Sequence, residues 1–236
     1  MKIHNIAGLT THMEYYYERL SKQAEAYVTN EQDTPDILIH FSKDYLRERQ
    51  KENPHLSMNE CEYIWTGAEF YHQLLNYRGF MLHASGVVYK GYAYLFSAPS
   101  GTGKSTHTGL WQKHFGSKAQ IINDDKPAIR IHEDGVFVYG TPWSGKTALN
   151  LNIKVPLKAI CFIERSPKNH IRQIPARDAI GMILNQTLRP PDLSQMDKLL
   201  ACLDTLLQKI PIYQMGCNIS EEAAELAYRT MSQGTL

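Results

Sequence analysis

The stretch AYLFSAPSGTGKST, residues 93–106, decides the fold of this chain. Its first part, Ala93–Ala98, is rich in apolar and aromatic residues and predicts a β-strand. An earlier run of similar character, Gly86–Tyr89, precedes it, and the Lys90–Gly91 pair between the two runs predicts a β-hairpin. Residues Thr106–Phe115 could continue as a helix. The sequence therefore predicts a hairpin that leads into a glycine-rich loop and then into a helix.

The segment Ala98–Ser105 matches the phosphate-binding pattern G-x-x-x-x-G-K-[ST], except that Ala98 stands at the first glycine position. Its two glycines allow consecutive backbone N–H groups to turn inward around phosphate oxygens, because no Cβ blocks their approach. Lys104 would place a cation on the β- and γ-phosphates, and the Ser105 hydroxyl could ligate Mg²⁺. The following helix would add its N-terminal dipole. A polar turn with an exposed lysine is the alternative, but a strand before and a helix after favour phosphate binding.

A pair of carboxylates follows the apolar residues Ile121-Ile122, in the sequence Asn123-Asp124-Asp125. Adjacent carboxylates at the end of a strand suit an enzyme with a phosphate-binding loop. One of them holds Mg²⁺ directly or through water, and the other accepts the proton of an attacking hydroxyl. The alternative is a simple turn, because Asn-Asp-Asp-Lys-Pro is also good turn chemistry. The glycine-rich loop upstream favours the functional interpretation.

Two further segments hold weaker candidates. His83 stands a few residues before the hairpin, which could return it to the mouth of the site, although a lone histidine is more often structural. The loop Gly140–Lys146 (GTPWSGK) is either a plain turn or a means of bringing Lys146 to a transferring phosphoryl group. Arg165, Arg172 and Arg177 lie around the ends of later runs and are weak candidates, since arginine is common on protein surfaces.

Composition narrows the class of protein. The chain has 236 residues, of which 43% are hydrophobic and 21% charged, as in an ordinary soluble globular protein. With 25 Lys and Arg against 24 Asp and Glu, the net charge of +1 gives no electrostatic reason to expect nucleic acid or a membrane as a partner. The N-terminus is too polar for a secretory signal, so we expect a cytoplasmic protein. The four cysteines form no C-x-x-C pair, which favours reduced thiols over zinc ligands or disulfides.

The remaining segments predict a mixed α/β protein and not a regular β-α-β alternation, because strands outnumber helices in the middle of the chain. A charged stretch followed by Pro54 predicts a division into a small α/β N-terminal region, residues 1–55, and a larger domain, residues 56–236. In the first part, Asp36–Phe41 predicts a strand, and Glu60–Tyr77 then predicts a helix. Helices are predicted near the C-terminus at Ala176–Leu188, Leu193–Ile210 and Glu221–Met231.

Taken in order, Leu82-His83-Ala84-Ser85, the hairpin, SGTGKST and the Asp pair resemble the HPr kinase/phosphorylase superfamily. A more distant resemblance is to the ATP-dependent phosphoenolpyruvate carboxykinases. These families share a phosphate loop of the form S-G-x-G-K-[ST], fed by a hairpin, with an Asp-Asp pair downstream. The HPr kinases also place a histidine ahead of the hairpin. The resemblance covers about residues 80–175 and implies an HPr kinase-like nucleotide-binding core in a mixed sheet, followed by C-terminal helices.

The resemblance also implies roles for individual residues. Asp125 would be the base, Ser105 and Asp124 would position Mg²⁺, and His83 would lie beside the transferred phosphate, although the two aspartates could exchange roles. Lys146 is placed by analogy with the basic loop that follows the Asp pair in the carboxykinases. The expected catalytic residues are thus Asp125, His83, Lys104 and Lys146, and the expected nucleotide-binding residues are Ser100, Gly101, Thr102, Gly103, Lys104, Ser105 and Thr106.

Three departures limit the resemblance. The chain is too short for the large substrate-binding portion of a carboxykinase, Thr106-His107 replaces the usual Ser-Glu-Thr continuation, and the first 80 residues are unlike the N-terminal domain of HPr kinases. The chain looks like the small stand-alone HPr kinase-like proteins of bacteria, some of which phosphorylate peptides or free serine.

We therefore expect an ATP- and Mg²⁺-dependent kinase that acts on a hydroxyl, most simply that of serine in a protein or peptide or of free serine. The alternatives are a regulatory module that binds nucleotide without transferring phosphate, and a small-molecule kinase or carboxykinase-like enzyme. The sequence leaves open the choice between ATP and GTP and whether the chain forms a homo-oligomer.

Overall fold

The structure, a computed structural model, describes residues 1–30 and 34–233, and its regular elements are two β-sheets, seven α-helices and three short 3₁₀-helices. The strands are β1 (Lys2–Ile6), β2 (Leu9–Met13), β3 (Ile37–Ile39), β4 (Gly79–Met81), β5 (Ala84–Tyr89), β6 (Tyr92–Ser97), β7 (Gln120–Asn123), β8 (Ala128–His132), β9 (Gly135–Tyr139), β10 (Lys154–Arg165), β11 (His170–Ile174) and β12 (Ile212–Cys217). The helices are α1 (Glu18–Ala24), α2 (Lys43–Glu52), α3 (Met58–Leu74), α4 (Lys104–Phe115), α5 (Ala176–Asn185), α6 (Leu193–Lys209) and α7 (Glu221–Gln233).

The larger sheet has nine strands and a mixed direction. Its path runs β4-β8-β9-β10-β6-β5-β7, with β12 beside β10 and β11 beside β12. The long strand β10 pairs in parallel with β6 and β12 and antiparallel with β9. The other pairings in this sheet are antiparallel. The predicted fold class, α/β with a mixed sheet, is confirmed.

The predicted hairpin forms and fixes the position of the glycine-rich loop. Strands β5 and β6 pair from Ala84 opposite Ser97 to Tyr89 opposite Tyr92, so only Lys90 and Gly91 lie in the turn. Both turn residues have positive φ, 50° and 81°, as a type I′ hairpin turn requires. On its other side β5 pairs with β7, with Gly86 opposite Asn123. The start of β5 and the ends of β6 and β7 therefore meet at one edge of the sheet.

The N-terminal region packs against α3 and the end of the large sheet. Strands β1, β2 and β3 form a three-stranded sheet, and their buried residues Ile6 and Met13 belong to one apolar cluster with Phe70 and Trp143. The core between the large sheet and α6 contains Leu203 and its helical neighbours. A division of the chain at residue 55 stays a prediction.

Several elements of the N-terminal region were not predicted from the sequence. The buried positions of the β1–β2 hairpin include the polar residues His4 and Thr11, so its strands lack a simple alternation of apolar and polar residues. The hairpin turns at Ala7 and Gly8, both with positive φ. The charged residues that suggested a boundary form the second half of α2, in which only Leu46 is buried. Near the C-terminus, α5 ends at Asn185 and not at Leu188. The residues after Asn185 are therefore free to turn toward the sheet edge where β5, β6 and β7 meet.

None of the helices in residues 1–30 and 34–233 has both the length and the apolar character of a membrane-spanning segment. All four cysteines are unpaired; Cys61, Cys161 and Cys202 are buried, and Cys217 is half-buried.

Candidate active site

The glycine loop, residues 98–105, joins β6 to α4. Gly101 and Gly103 have φ of +78° and +125°, a backbone conformation that residues with a Cβ rarely adopt. Helix α4 begins at Lys104, earlier than Thr106, where the sequence predicted it, and its first turn carries no side-chain cap. The N-terminus of the helix and its dipole are thus at the loop itself.

Lys104 folds back over this loop. Its Nζ donates a hydrogen bond to the carbonyl oxygen of Ala98 at 3.0 Å, and its side chain is largely buried. Burial lowers the pKa of the Lys104 ammonium, while the nearby carboxylates of Asp125 and Asp124 act in the opposite direction. The ammonium is therefore held at one point of the loop, close to the carboxylate pair.

The buried amide of Asn123 sets the direction of the Asp pair. Its Nδ2 donates to the carbonyl and hydroxyl oxygens of Thr141, both at 3.0 Å. Its Oδ1 accepts from the backbone N–H groups of Asp125 and Lys126, at 3.0 and 2.7 Å. Such a side-chain bond to the backbone two residues on is the signature of an Asx turn. The turn and the carboxylate pair, which the sequence offered as alternatives, therefore occur together.

The Asp124 carboxylate is oriented by two hydroxyl groups. The Ser85 hydroxyl donates to Oδ1 at 2.7 Å, and the Thr147 hydroxyl donates to Oδ2 at 2.9 Å. The Ser85 Oγ also lies 2.7 Å from the Thr108 Oγ1 on α4. A series of side-chain hydrogen bonds thus links the helix after the glycine loop, strand β5, Asp124 and the loop after β9.

The Asp125 carboxylate lies between two groups that can donate to it. His83 Nε2 is 3.2 Å from Oδ1, and the Lys126 ammonium contacts Oδ2. Burial acts to raise the pKa of Asp125, but the His83 hydrogen bond and the Lys126 charge outweigh it and lower that pKa to about 2. Asp125 is therefore ionised at neutral pH.

His83 is held by a partner that the sequence did not reveal. Its Nδ1 lies 2.9 Å from the side-chain Oε1 of Gln186, and its backbone N–H donates to the Gln186 carbonyl at 2.7 Å. Gln186 directly follows α5, which is why the early end of this helix matters. With one ring nitrogen at Gln186 and the other at Asp125, the imidazole has a fixed orientation beside the carboxylate.

The N-terminal region anchors Gly145, the residue before Lys146. Arg19 Nη2 and Gln23 Nε2 both donate to the Gly145 carbonyl, at 3.0 and 3.2 Å, and the Gly145 N–H donates to the Tyr63 hydroxyl at 2.7 Å. Arg19 also stacks on the Tyr63 ring, with its guanidinium carbon 3.8 Å from the centroid. A Cβ at Gly145 would lie 2.9 Å from the Asp125 Cβ, so only glycine fits here without displacing Asp125.

The residues that the sequence selected line one cavity of about 570 Å³, the central cavity. Lys146 contributes an exposed side chain to its wall. The lining residues that the sequence did not select are Arg19, Glu60, Tyr63, Ile64, Lys126, Gly145 and Thr147. Thr102 is the exception, since it faces a second cavity on the other side of the loop. The predicted residues in the central cavity are His83, Ser100, Gly101, Gly103, Lys104, Ser105, Thr106, Asp124, Asp125 and Lys146.

The second cavity, of about 730 Å³, is the flanking cavity. It shares Gly101, Gly103 and Thr106 with the central cavity and continues over apolar side chains of α4, β10 and the segment after β12. Arg165 at the end of β10 donates to the carbonyl oxygens of Gly101 and Thr102, at 2.7 and 3.2 Å. The glycine loop is thus the wall between two cavities, and Arg165 braces it from the flanking side.

The donor groups present fit a magnesium ion. Mg²⁺ prefers hard oxygen ligands, retains several waters, and in nucleotide sites needs only one or two protein oxygens besides the phosphates. The Ser105 hydroxyl and the Asp124 carboxylate both line the central cavity. Within residues 1–30 and 34–233, no three His, Cys, Asp or Glu side chains form a cluster that could hold a metal.

Two of three comparisons relate the chain to known proteins. The sequence matches the family described as SynChlorMet cassette protein ScmC over residues 50–225, about three-quarters of its length. A comparison with curated proteins finds no match. Among solved structures, the chain is similar to the Hpr(Ser) kinase/phosphatase from Coxiella burnetii, with 10% identity and a TM-score of 0.38 over 65% of this chain and 99% of that one. A similarity at that score carries no argument about function, which has to be inferred from the residues of the site.

The low pKa of Asp125 leads to a pH-dependent contribution to stability. Because the pKa is about 2 in the folded state and roughly 3.9 in an unfolded chain, the carboxylate stabilises the fold above pH 5 and loses this contribution as the pH falls toward 2. We expect the difference in free energy of unfolding between the wild type and Asp125→Asn to shrink by about 1 kcal/mol from pH 5 to pH 3. Urea denaturation of both proteins at pH 5 and pH 3 measures this difference in free energy. A difference that stays constant or grows as the pH falls contradicts the environment assigned to the Asp125 carboxylate.

Proposed function

This chain belongs to the family of the SynChlorMet cassette protein ScmC, and we propose that it is an ATP- and Mg²⁺-dependent kinase. It transfers the γ-phosphoryl group to the hydroxyl of a serine, either in a peptide or protein or as the free amino acid. One observation carries the proposal. The ammonium of Lys104, the ionised carboxylate of Asp125 and the imidazole of His83 face the same cavity, at the N-terminus of a helix that follows a glycine loop.

The two cavities beside the glycine loop support an assignment for the two halves of the nucleotide. The triphosphate would lie along the loop, where positive φ glycines and the N-terminus of α4 suit an anion. The nucleoside would occupy the flanking cavity, which is lined mostly by apolar groups such as Leu110, Ile163, Pro167 and Ile219. The γ-phosphate would then point into the central cavity, toward Lys104 and Asp125.

The residues of the central cavity supply the chemistry of transfer. When bound, Mg²⁺ would neutralise charge on the β- and γ-phosphate oxygens, and Ser105 and Asp124 are the residues that would hold it. The acceptor oxygen forms a bond to the γ-phosphorus as the bond to the bridging oxygen of ADP breaks. Asp125 accepts the hydrogen bond of the acceptor hydroxyl and then its proton. His83 positions the Asp125 carboxylate, and Lys104 stabilises charge on the transferring group.

The N-terminal region would take part in positioning. Arg19, Gln23 and Tyr63 hold Gly145 against Asp125, and Lys146 follows at the cavity wall. Lys146 would contact either the transferred phosphoryl group or a negatively charged part of the acceptor. The first 30 residues would thus contribute to the second half of the site, opposite the glycine loop.

The direct test is transfer of label from γ-labelled ATP, with Mg²⁺, into a cell extract that is then separated into protein, peptide and small-molecule fractions. We expect label in one fraction with the wild type and a loss of at least about 10²-fold with Asp125→Asn, because the acceptor hydroxyl loses its base. Lys104→Ala should weaken ATP binding as well as transfer. Asp134→Asn, at an exposed turn between β8 and β9, is the matched control and should transfer normally.

Binding of ATP without any label that depends on Asp125 would contradict the kinase assignment. It would favour a module that binds nucleotide without transferring phosphate. Label in the small-molecule fraction alone would identify a free amino acid or another small hydroxyl compound as acceptor.

Cys217 lines the flanking cavity and is the one half-buried cysteine of the four. Because burial raises the pKa of its thiol, alkylation by iodoacetamide is best followed at alkaline pH. We expect saturating ATP to slow alkylation of Cys217 at least about tenfold, as read by mass spectrometry, since the nucleoside covers the thiol. Inorganic triphosphate, which has no nucleoside, should protect far less. Equal labelling with and without ATP would contradict the assignment of the flanking cavity.

A further inference from the structure

A small cavity of about 130 Å³, the side pocket, adjoins the central cavity. The two share Tyr63, Ile64 and Lys126. Its remaining lining is apolar and comes from α3, β4, the loop after β9 and the segment after α5: Gly67, Ala68, Tyr71, Met81, Trp143 and Leu188. The proposed phosphoryl transfer uses none of these six residues.

The polar groups of the pocket's aromatic residues are occupied elsewhere. The Tyr71 hydroxyl donates to the Lys126 carbonyl at 2.5 Å, and the Trp143 N–H donates to the Thr66 hydroxyl at 3.3 Å. The two rings meet edge to face, 5.7 Å apart, and both residues are almost completely buried. What they present to the pocket is therefore apolar ring surface.

The pocket is open at its rim and suits a ligand group of definite size. Ile64 on this rim is 45% exposed, so apolar side-chain surface continues from the pocket to its opening. An engineered apolar cavity of about 150 Å³ in another protein accommodates benzene. A cavity of about 130 Å³ therefore suits a leucine, isoleucine or methionine side chain, or an aromatic ring.

Lys126 connects this pocket to the reacting carboxylate. Its ammonium contacts Asp125 and lies 5.8 Å from the centroid of the Tyr63 ring, and the residue lines both cavities. The pocket is thus within about one lysine side chain of Asp125. Successive residues of an extended peptide are about 3.3–3.6 Å apart, so a residue one or two positions from the acceptor could reach it.

We propose that the side pocket binds an apolar side chain of the acceptor, and that this acceptor is a peptide or protein segment with its serine one or two residues away. The inference rests on the kinase function proposed above and narrows its substrate class. Free serine carries no group that would fill an apolar pocket. A peptide with a bulky apolar neighbour gains free energy of binding by removing that side chain from water.

Peptides with a single serine among glycine and alanine test this. In one set, leucine replaces the residue at each of the two positions before and the two positions after the serine, one position at a time. The peptide with alanine at all four positions is the reference. We expect leucine at one position to raise kcat/KM at least about tenfold. In Ala68→Leu, whose added carbons would fill the pocket, this preference should disappear. Ala201→Leu, an exposed alanine on α6, is the matched control and should retain it.

Ile64→Ser provides a second variant at an exposed position, should Ala68→Leu fold poorly, and it should reduce the same preference. Thermal unfolding of each variant checks its fold. Phosphorylation with no preference for leucine at any position overturns the proposal, as does a preference that survives in a folded Ala68→Leu or Ile64→Ser. Failure to phosphorylate any peptide, with ATP turnover that still depends on Asp125, overturns it while leaving the kinase function intact. Absence of ATP turnover in the wild type instead removes the kinase function itself, and the peptide acceptor with it.

Discussion

The candidate site depends on one buried side chain, the amide of Asn123. It is completely buried, and its two amide hydrogens and its oxygen make four hydrogen bonds, to Thr141 on one side and to the backbone of Asp125 and Lys126 on the other. A buried polar group without partners is costly, so this arrangement is strongly preferred over any in which the chain leaves β7 in another direction. The turn that results directs Asp124 toward Ser85 and Thr147, and Asp125 toward His83.

The same turn brings the two aspartates into the central cavity, where they face several cationic side chains. The cations Lys104, Lys126, Lys146 and Arg19 outnumber the carboxylates Asp124, Asp125 and Glu60 around the central cavity by one. Such an excess suits a polyanionic ligand, and each carboxylate of the Asp pair is held by specific donors and not left to repel it. The apolar side pocket lies next to this charged region. The phosphate would be held in the charged cavity, and an acceptor side chain would bind in the apolar pocket beside it.

Local sequence patterns were sufficient for the residues that lie near the hairpin. The strand, glycine loop and helix were predictable because their spacing is set by backbone chemistry over a few residues, and the Asp pair followed from its position after an apolar strand. The partners of these residues could not be predicted in this way. Gln186 lies 103 residues from His83, and Arg19 and Gln23 lie more than 120 residues from Gly145. Only the assembled sheet brings them together. Thr102 shows a second limit of prediction from sequence. The loop pattern selected this residue, but the pattern does not tell which side chains of the loop face which cavity.

We propose that the glycine loop and the turn after β7 form the two halves of one phosphotransfer site. The most direct measurement is a crystal structure with Mg²⁺ and an ATP analogue that cannot transfer its γ-phosphate. The account predicts the nucleoside in the flanking cavity, the phosphates along residues 98–105, and the γ-phosphate between the Lys104 ammonium and the Asp125 carboxylate. A nucleotide bound away from the loop, or with its γ-phosphate directed away from Asp125, would contradict it.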